Sequence, residues 1–375
     1  MTHLSERGVP ASAEASARDF QHGCNYPWST DGSTIYYGLD FGANVWGSHL
    51  GVSTRRPAIE RDFDEMASMG FRIVRWFVFA DGRAGIFYDG AGLPAGLDPH
   101  FFVDLDTACE VARNVGMQLV LVLLDHRWLF EGVRDTIADP ATGALLDVRL
   151  PHGRADILHT IAGRTALFAR VIEPLVRRYG TGGARADLAG QIFAFELMNE
   201  PDFVIDEWER DLSHHVKRPL RFEVLAQMVA ALSGLVHATG PAHTTIGCAR
   251  LHNLWAWEDP ELGLDVLQIH SYPDTRHPGR DLDPLATAAP SLGFSKPILL
   301  GEFPGNPAAQ HPSDASPIVQ GIDEVLEAAV TGGYAGAWPW SFSGTDAYGR
   351  LPAAPLREFA ARHPELVNPR AVITS

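Results

Sequence analysis

Short apolar runs, each cut off abruptly by polar residues, alternate along this chain with segments whose apolar positions recur at helical spacing. The apolar runs at 19–28, 71–82, 118–126, 192–202, 243–251, 266–274, 297–305 and 334–342 read as strands. Between them, 54–69 places Ile59, Phe63 and Met66 on one helical face and closes at Gly70, and 219–239 is stopped by Gly240 and Pro241. Further helices are expected at 100–115, 156–180, 281–293, 315–332 and 352–363. Eight strands, nearly all followed by a helix, predict the α/β class and a (β/α)8 barrel. A doubly wound sheet competes poorly, because no Gly-rich phosphate turn follows an early strand.

The same rhythm sets the domain plan: a flexible N-terminal segment over 1–17 and one (β/α)8 domain over 18–368. Two extended loops interrupt it, at 29–52 after the first strand and 127–155 after the third. The first is rich in Gly, Ser and aromatics, and a hairpin is one reading of TIYYGLDFGANVW within it. Long loops of this kind usually carry function.

With 46% apolar and 20% charged residues the chain has the composition of a globular protein with a sizeable core. Its formal net charge of −16 argues against nucleic acid and against anionic membrane surfaces, both of which need a basic face, and favours an uncharged substrate. Cys24, Cys109 and Cys248 are odd in number and far apart, which suits small buried thiols in a reducing compartment better than disulfides. No basic start followed by an apolar run opens the sequence, so a cytoplasmic location is expected, with a processed secreted form as the alternative. No run of eighteen apolar residues occurs, so no transmembrane helix is expected. Oligomeric state is left open by the pattern.

Active sites of such barrels lie at the C-terminal strand ends, so the polar residues where each apolar run stops should converge. In order they are Arg75 with Trp76, Asp125 with His126, Asn199 with Glu200, His270 with Tyr272, Glu302, and Trp338 with Trp340. Glu200 and Glu302 end the fourth and seventh strands, on facing walls. Two facing carboxyls suit glycosidic bond cleavage, in which one protonates the leaving oxygen and the other stabilises or attacks the anomeric carbon. These roles demand opposite protonation states at one pH, so the surroundings must push the two pKa values apart. Arg75, Tyr272 and Asn199 can donate hydrogen bonds there, and the tryptophans offer flat apolar faces to sugar C–H surfaces.

From about 20 to 350 the chain resembles the clan A glycoside hydrolases, most closely the family 5 cellulase-like and mannanase-like enzymes. The resemblance rests on Asn199-Glu200-Pro201 at the fourth strand, Glu302 in LLGEFPG at the seventh, and the other tip residues in order. It implies Glu200 as acid/base and Glu302 as nucleophile, with Arg75 and Tyr272 holding the nucleophile and His270 beside the acid/base. His126 and Asn199 would bind the sugar in the cleaved subsite and Trp340 would floor it. It also implies a retaining mechanism through a covalent glycosyl-enzyme, carboxyls roughly 5 Å apart, and neither metal nor organic cofactor. The sequence departs from the family pattern at Asp125-His126-Arg127-Trp128, where a histidine among small residues is expected.

Other residues have plainer readings. Glu196 shares side-chain parity with Glu200 along an ideal strand and is expected to pair with an arginine inside the barrel. His159, His214 and His215 lack ligand spacing and read as surface. Trp255 and Trp257 either shape a subsite or pack. Trp28, Trp46 and Trp128 fall in or beside the long loops, where exposed rings would meet sugar units beyond the cleaved one. The leading expectation is a retaining glycosidase for β-linked, gluco- or manno-configured hexosides or oligosaccharides. The alternatives are a non-catalytic carbohydrate-binding barrel, a transglycosylase on the same site, and a metal-dependent hydrolase using His126 and His270.

Overall fold

Eight parallel strands close on themselves in the computed structural model, which describes residues 20–31, 35–45, 47–130, 154–208, 216, 218–273, 279–306, 320–346 and 348–373, and the backbone of 134–138 and 145–149. They are β1 (Gln21–Asn25), β2 (Ile73–Phe77), β3 (Gln118–Asp125), β4 (Ile192–Asn199), β5 (His243–Cys248), β6 (Leu267–His270), β7 (Ile298–Pro304) and β8 (Gly336–Trp340). Each pairs with its sequence neighbours, and β1 meets β8 at Gln21 and Gly336 to close the ring. All eight apolar runs are therefore strands, and the (β/α)8 expectation holds.

Alternation within each strand divides its side chains between the interior and the helix layer. On β2, Ile73, Arg75 and Phe77 point inward, while Val74 and Trp76 join the core under the helices. The interior is filled in tiers. Ile73, Val120, Ala194, Leu299 and Trp338 form an apolar floor. Above it lie Asn25, Arg75, Glu196 and Gln268, all fully buried. Phe77, Val122 and Trp340 form the next apolar group, with Trp28, Tyr37, Tyr272 and Tyr348 packed on it.

Glycine makes room for the larger members. A Cβ at Gly23 would fall 2.6 Å from the Trp338 ring, and one at Gly301 2.4 Å from Gln268 Cγ. Trp338 is thus core, fully buried, with its indole N–H donating to the Gln21 carbonyl at 3.0 Å.

The helix layer includes α1 (Arg56–Ser68), α2 (Phe101–Val115), a composite α3, α4 (Phe222–Thr239), α5 (Ile322–Thr331) and α6 (Ala353–Arg362). In α3, Ile161–Leu167 and Glu173–Tyr179 are joined by the π-helical turn Phe168–Ile172. Pro174 lacks the N–H that would continue the regular ladder. By length and composition α4 alone among the described helices could cross a membrane, yet Leu225, Met228, Val229, Leu232 and Val236 are buried in the barrel's helix layer.

Two expectations need correction. The helix expected at 281–293 is absent: Pro284 and Pro290 interrupt the segment, and only the 3-10 turn Ala289–Leu292 forms. The connection after β5 is likewise a 3-10 stretch, Leu251–Trp257. In the first long loop the described residues form no hairpin but isolated bridges, Thr30 with Ile35, Ala43 with His49 and Asn44 with Ala84. Buried carboxylates hold this loop instead. Asp40 accepts from the Ser29 backbone N–H and the Trp76 indole, and Asp104 from the N–H groups of Gly42 and Ser53. Hairpins occur later, Ile86–Tyr88 with Pro94–Leu97 after β2, and Arg134–Ala138 with Leu145–Arg149 inside the second long loop.

Candidate active site

Arg75 is the centre from which the site is built. Its guanidinium has five N–H donors, and all five find acceptors. Nε and Nη2 donate to the two oxygens of Glu196 at 2.7 and 2.6 Å, and Nη2 also to Asn199 Oδ1 at 2.7 Å. Nη1 donates to Asn25 Oδ1 at 2.9 Å and to Glu302 Oε1 at 2.6 Å. Burying a cation without such partners would cost several kcal/mol, so full saturation is what allows it to sit inside the barrel. Glu196 takes the interior role expected of it.

The carboxyl groups reach this centre through breaks in strand regularity. Register shifts between Glu196 and Asn199 on β4 and between Leu300 and Phe303 on β7 bring Asn199 and Glu302 inward. Glu200 itself sits at φ 47°, ψ 53°, the left-handed region that non-glycine residues seldom occupy. Its N–H donates to the Gly247 carbonyl at 2.9 Å. The following Asp202 is fully buried and accepts from the Ala249 N–H and the Asn253 amide, both at 2.7 Å, fastening this turn to the loop after β5.

One carboxylate oxygen of Glu200 and one of Glu302 lie within 4.8 Å of each other, with His270 at the same spacing. The two carboxyls differ in their donors. Glu302 Oε1 receives Arg75 and Oε2 receives the Tyr272 hydroxyl at 2.9 Å. Glu200 has His270 Nδ1 at 3.0 Å from Oε1, and His126 Nδ1 only at 3.9 Å from Oε2.

Burial pushes the Glu200 carboxyl up to about 7, with Asp125 and Asp202 adding to the rise and His126 and Arg250 opposing it. Burial also raises Glu302, while His270, Arg75 and the Tyr272 hydroxyl pull it back. Burial lowers the His270 imidazole, which is therefore neutral, and holds the Tyr272 hydroxyl protonated. The arrangement gives one carboxyl kept protonated near neutrality beside one supplied with donors for its anion.

The remaining expected residues are close by. His126 lies between the rings of Phe130 and Phe203, 3.3 Å from Asp125 Oδ2. Asn199 donates to that same oxygen at 2.8 Å, leaving one amide hydrogen uncommitted by this pair. Trp340 meets Trp28 and Phe77 edge-on, with centroids 6.1 and 6.3 Å away, and donates its indole N–H to Asp346. Glu200, Glu302, Arg75, Asn199, His270 and Tyr272 thus converge, with His126 beside Glu200.

Other aromatic expectations divide. Trp28 packs in the wall with Trp340, bonded to Thr345 at 2.8 Å. Trp128 is fully buried and cannot present a face to sugar, and Trp257 packs against Trp208 and Phe222. Trp255 is 68% exposed. Trp46, His214 and His215 lie outside the described residues, and His159 contacts the Arg218 carbonyl on the helix layer. The three cysteines are buried thiols.

Sequence reasoning missed Asn25 and Gln268. The first ends β1 and bonds to the Gly301 and Trp338 carbonyls as well as to Arg75. The second lies two positions before His270 on the same face, and that parity was the available signal.

No protein-family model matches the chain. Mannan endo-1,4-beta-mannosidase 1 of Oryza sativa subsp. japonica is 25% identical over 295 residues, covering 72% of this chain and 65% of that relative. Mannan endo-1,4-beta-mannosidase 7 of Arabidopsis thaliana is 23% identical over 322 residues, covering 80% of this chain and 70% of its own length. The chain therefore spans about two thirds of the rice protein's length. A solved structure of a beta-1,4-D-mannanase from Cryptopygus antarcticus superposes with TM-score 0.68 at 16% identity, over 92% of this chain and 90% of that one, which shows the shared fold. In sequence the chain is thus similar to these two mannan endo-1,4-beta-mannosidases, and its closed barrel has the fold of the mannanase structure.

Proposed function

We propose that the protein hydrolyses β-linked manno- or gluco-configured oligosaccharides with retention of anomeric configuration, and that β-1,4-mannosidic bonds are its first substrate class. One observation carries the mechanism: an oxygen of Glu200 and an oxygen of Glu302 lie within 4.8 Å of each other, in unequal surroundings. Retaining glycosidases hold their carboxyls about 5–5.5 Å apart, whereas inverting ones need about 6.5–9.5 Å to admit a water. The mannosidic preference is supported by the names of the two sequence relatives.

In the first step an oxygen of Glu302 attacks the anomeric carbon as the glycosidic C–O bond breaks. Glu200 gives its proton to the departing oxygen. Arg75 and Tyr272 hold the attacking carboxylate in place, so little reorganisation is needed at the moment of reaction. In the second step a water loses a proton to the Glu200 carboxylate and attacks the anomeric carbon, freeing Glu302. Asn199 and His126 border the sugar being cleaved, and Trp340 lies beneath it.

Glu302→Gly should abolish turnover of an aryl β-mannoside, and added azide should then yield the α-glycosyl azide. Turnover close to that of the native protein in this variant would remove Glu302 from the mechanism. A transglycosylase would use the same first step with a sugar hydroxyl in place of water, so elongated products at low acceptor concentration would identify it.

A further inference from the structure

Gln268 has no place in the two-carboxylate chemistry, yet it is fully buried in the barrel interior between Glu196 and His270. Its Nε2 lies 2.9 Å from Glu196 Oε2 and 3.3 Å from His270 Nε2. Building on the reading of Glu200 as acid/base, we propose that Gln268 is a positioning residue that fixes the His270 tautomer and thereby the proton on Glu200.

The assignment follows from which groups can donate. Glu196 receives two N–H groups of Arg75, so it is an acceptor, and the amide atom facing it is the NH2. The second amide hydrogen then faces His270 Nε2, which must accept it. A neutral imidazole that accepts at Nε2 carries its proton on Nδ1. That Nδ1 is 3.0 Å from Glu200 Oε1 and 3.5 Å from Glu302 Oε1, so its N–H is donated to Glu200. With Oε1 occupied as an acceptor, the acidic proton of Glu200 resides on Oε2, the oxygen that faces His126 instead of His270.

Two features show that the barrel is built around this amide. A Cβ at Gly301 would fall 2.7 Å from Gln268 Nε2, and one at Gly247 3.1 Å from Nε2 and 3.0 Å from His270 Nε2. Among the described residues Gln268 Oε1 is itself buried without a hydrogen-bond partner, a cost that a residue serving packing alone would not incur. The charged and titratable groups facing Glu200 are Asp125 and His126 from β3, Asp202 from its own turn, Arg250 after β5, His270 and Tyr272 at β6, Glu302 on β7 and Tyr348 after β8. Gln268→Met leaves all of them in place.

The test combines 15N spectra of His270 with pH profiles. In the native protein at neutral pH, Nδ1 should give a pyrrole-type shift and Nε2 a pyridine-type shift. A pyridine-type Nδ1 in the native protein would overturn the proposal whether or not any variant folds. In Gln268→Met the other tautomer should become populated. Loss of the N–H donated to the Glu200 anion should then move the basic limb of kcat/KM upward by roughly 0.5–1 pH unit, with kcat reduced. An unchanged tautomer and an unmoved basic limb in the folded variant would also overturn it. The spectra do not depend on turnover, so failure of the glycosidase reading is distinguishable from failure of the Gln268 assignment.

Discussion

Replacing Arg75 with lysine isolates what the saturated guanidinium contributes. An ammonium has three donors on one nitrogen, so at least two of the five bonds to Glu196, Glu302, Asn25 and Asn199 must be lost. A hydrogen bond to a charged partner contributes about 1.5–3 kcal/mol, and an acceptor left buried and unpaired costs about 1–3 kcal/mol. Two such losses total roughly 3–6 kcal/mol, against about 5–15 kcal/mol for the whole stability of a typical domain. At about 1.3 °C per kcal/mol for a chain of 375 residues, the melting temperature should fall by roughly 4–8 °C.

Glu302, the proposed nucleophile, should respond as well. Arg75 is one of the groups holding the Glu302 carboxyl down against burial, so weakening that contact raises it further and moves the acid limb of kcat/KM to higher pH. Calorimetry and a pH–rate series on one aryl β-mannoside measure both effects on the same preparation. A variant within about 1 kcal/mol of native stability, with its acid limb unmoved, would show that the five-bond geometry is not what supports Glu302.

Three further outcomes follow from the same structure. Glu200 must enter the first step protonated, so kcat/KM should fall on the alkaline side about a pKa of about 7, being roughly tenfold lower at pH 8 than at pH 6; a profile flat to pH 9 would exclude this acid. Burial between Phe71 and Phe359 lowers His22 to about 3 from its ordinary 6.5. Its depressed folded pKa contributes stability above pH 6.5 that is lost as pH falls toward 3, so in chemical denaturation His22→Leu should flatten the acid loss by a few kcal/mol, and an identical acid profile would refute it. Gly247→Ala places a Cβ 2.6 Å from Glu196 Oε1, and should lower kcat/KM by roughly a hundredfold with a stability loss of about 1–3 kcal/mol, whereas native-like kinetics would mean the interior network can shift at little cost.

The strands were legible because each is buried on both faces, leaving apolar runs that end sharply where the barrel opens. The paired glutamates were legible for the same reason: Glu200 and Glu302 are the first carboxyls after two such runs. The irregular connection after β6 was not, because the apolar spacing that suggested a helix over 281–293 is overridden by Pro284 and Pro290. Parity gave the right interior place for Glu196, but it does not place Glu200. The register shift and the left-handed backbone do that, and neither leaves a mark in the residue pattern. Asn25 was invisible because a single strand-end asparagine acquires meaning only when Arg75 stands on the neighbouring strand, at the partner position in the ladder.

Charge balance in the interior explains why the two carboxyls take different roles from such similar positions. Arg75 pairs with both Glu196 and Glu302, so one buried cation serves two carboxyls. Burial, aided by Asp125 and Asp202, keeps the proton on Glu200, the carboxyl with fewer donors. In the proposed mechanism Glu302 becomes a glycosyl ester in the first step, and its negative charge beside Glu200 is lost. Glu200 can then remain ionised after giving up its proton, which is the state needed to accept one from water. The change of role between the two proposed steps therefore comes from the loss of the Glu302 charge beside a carboxyl that stays buried.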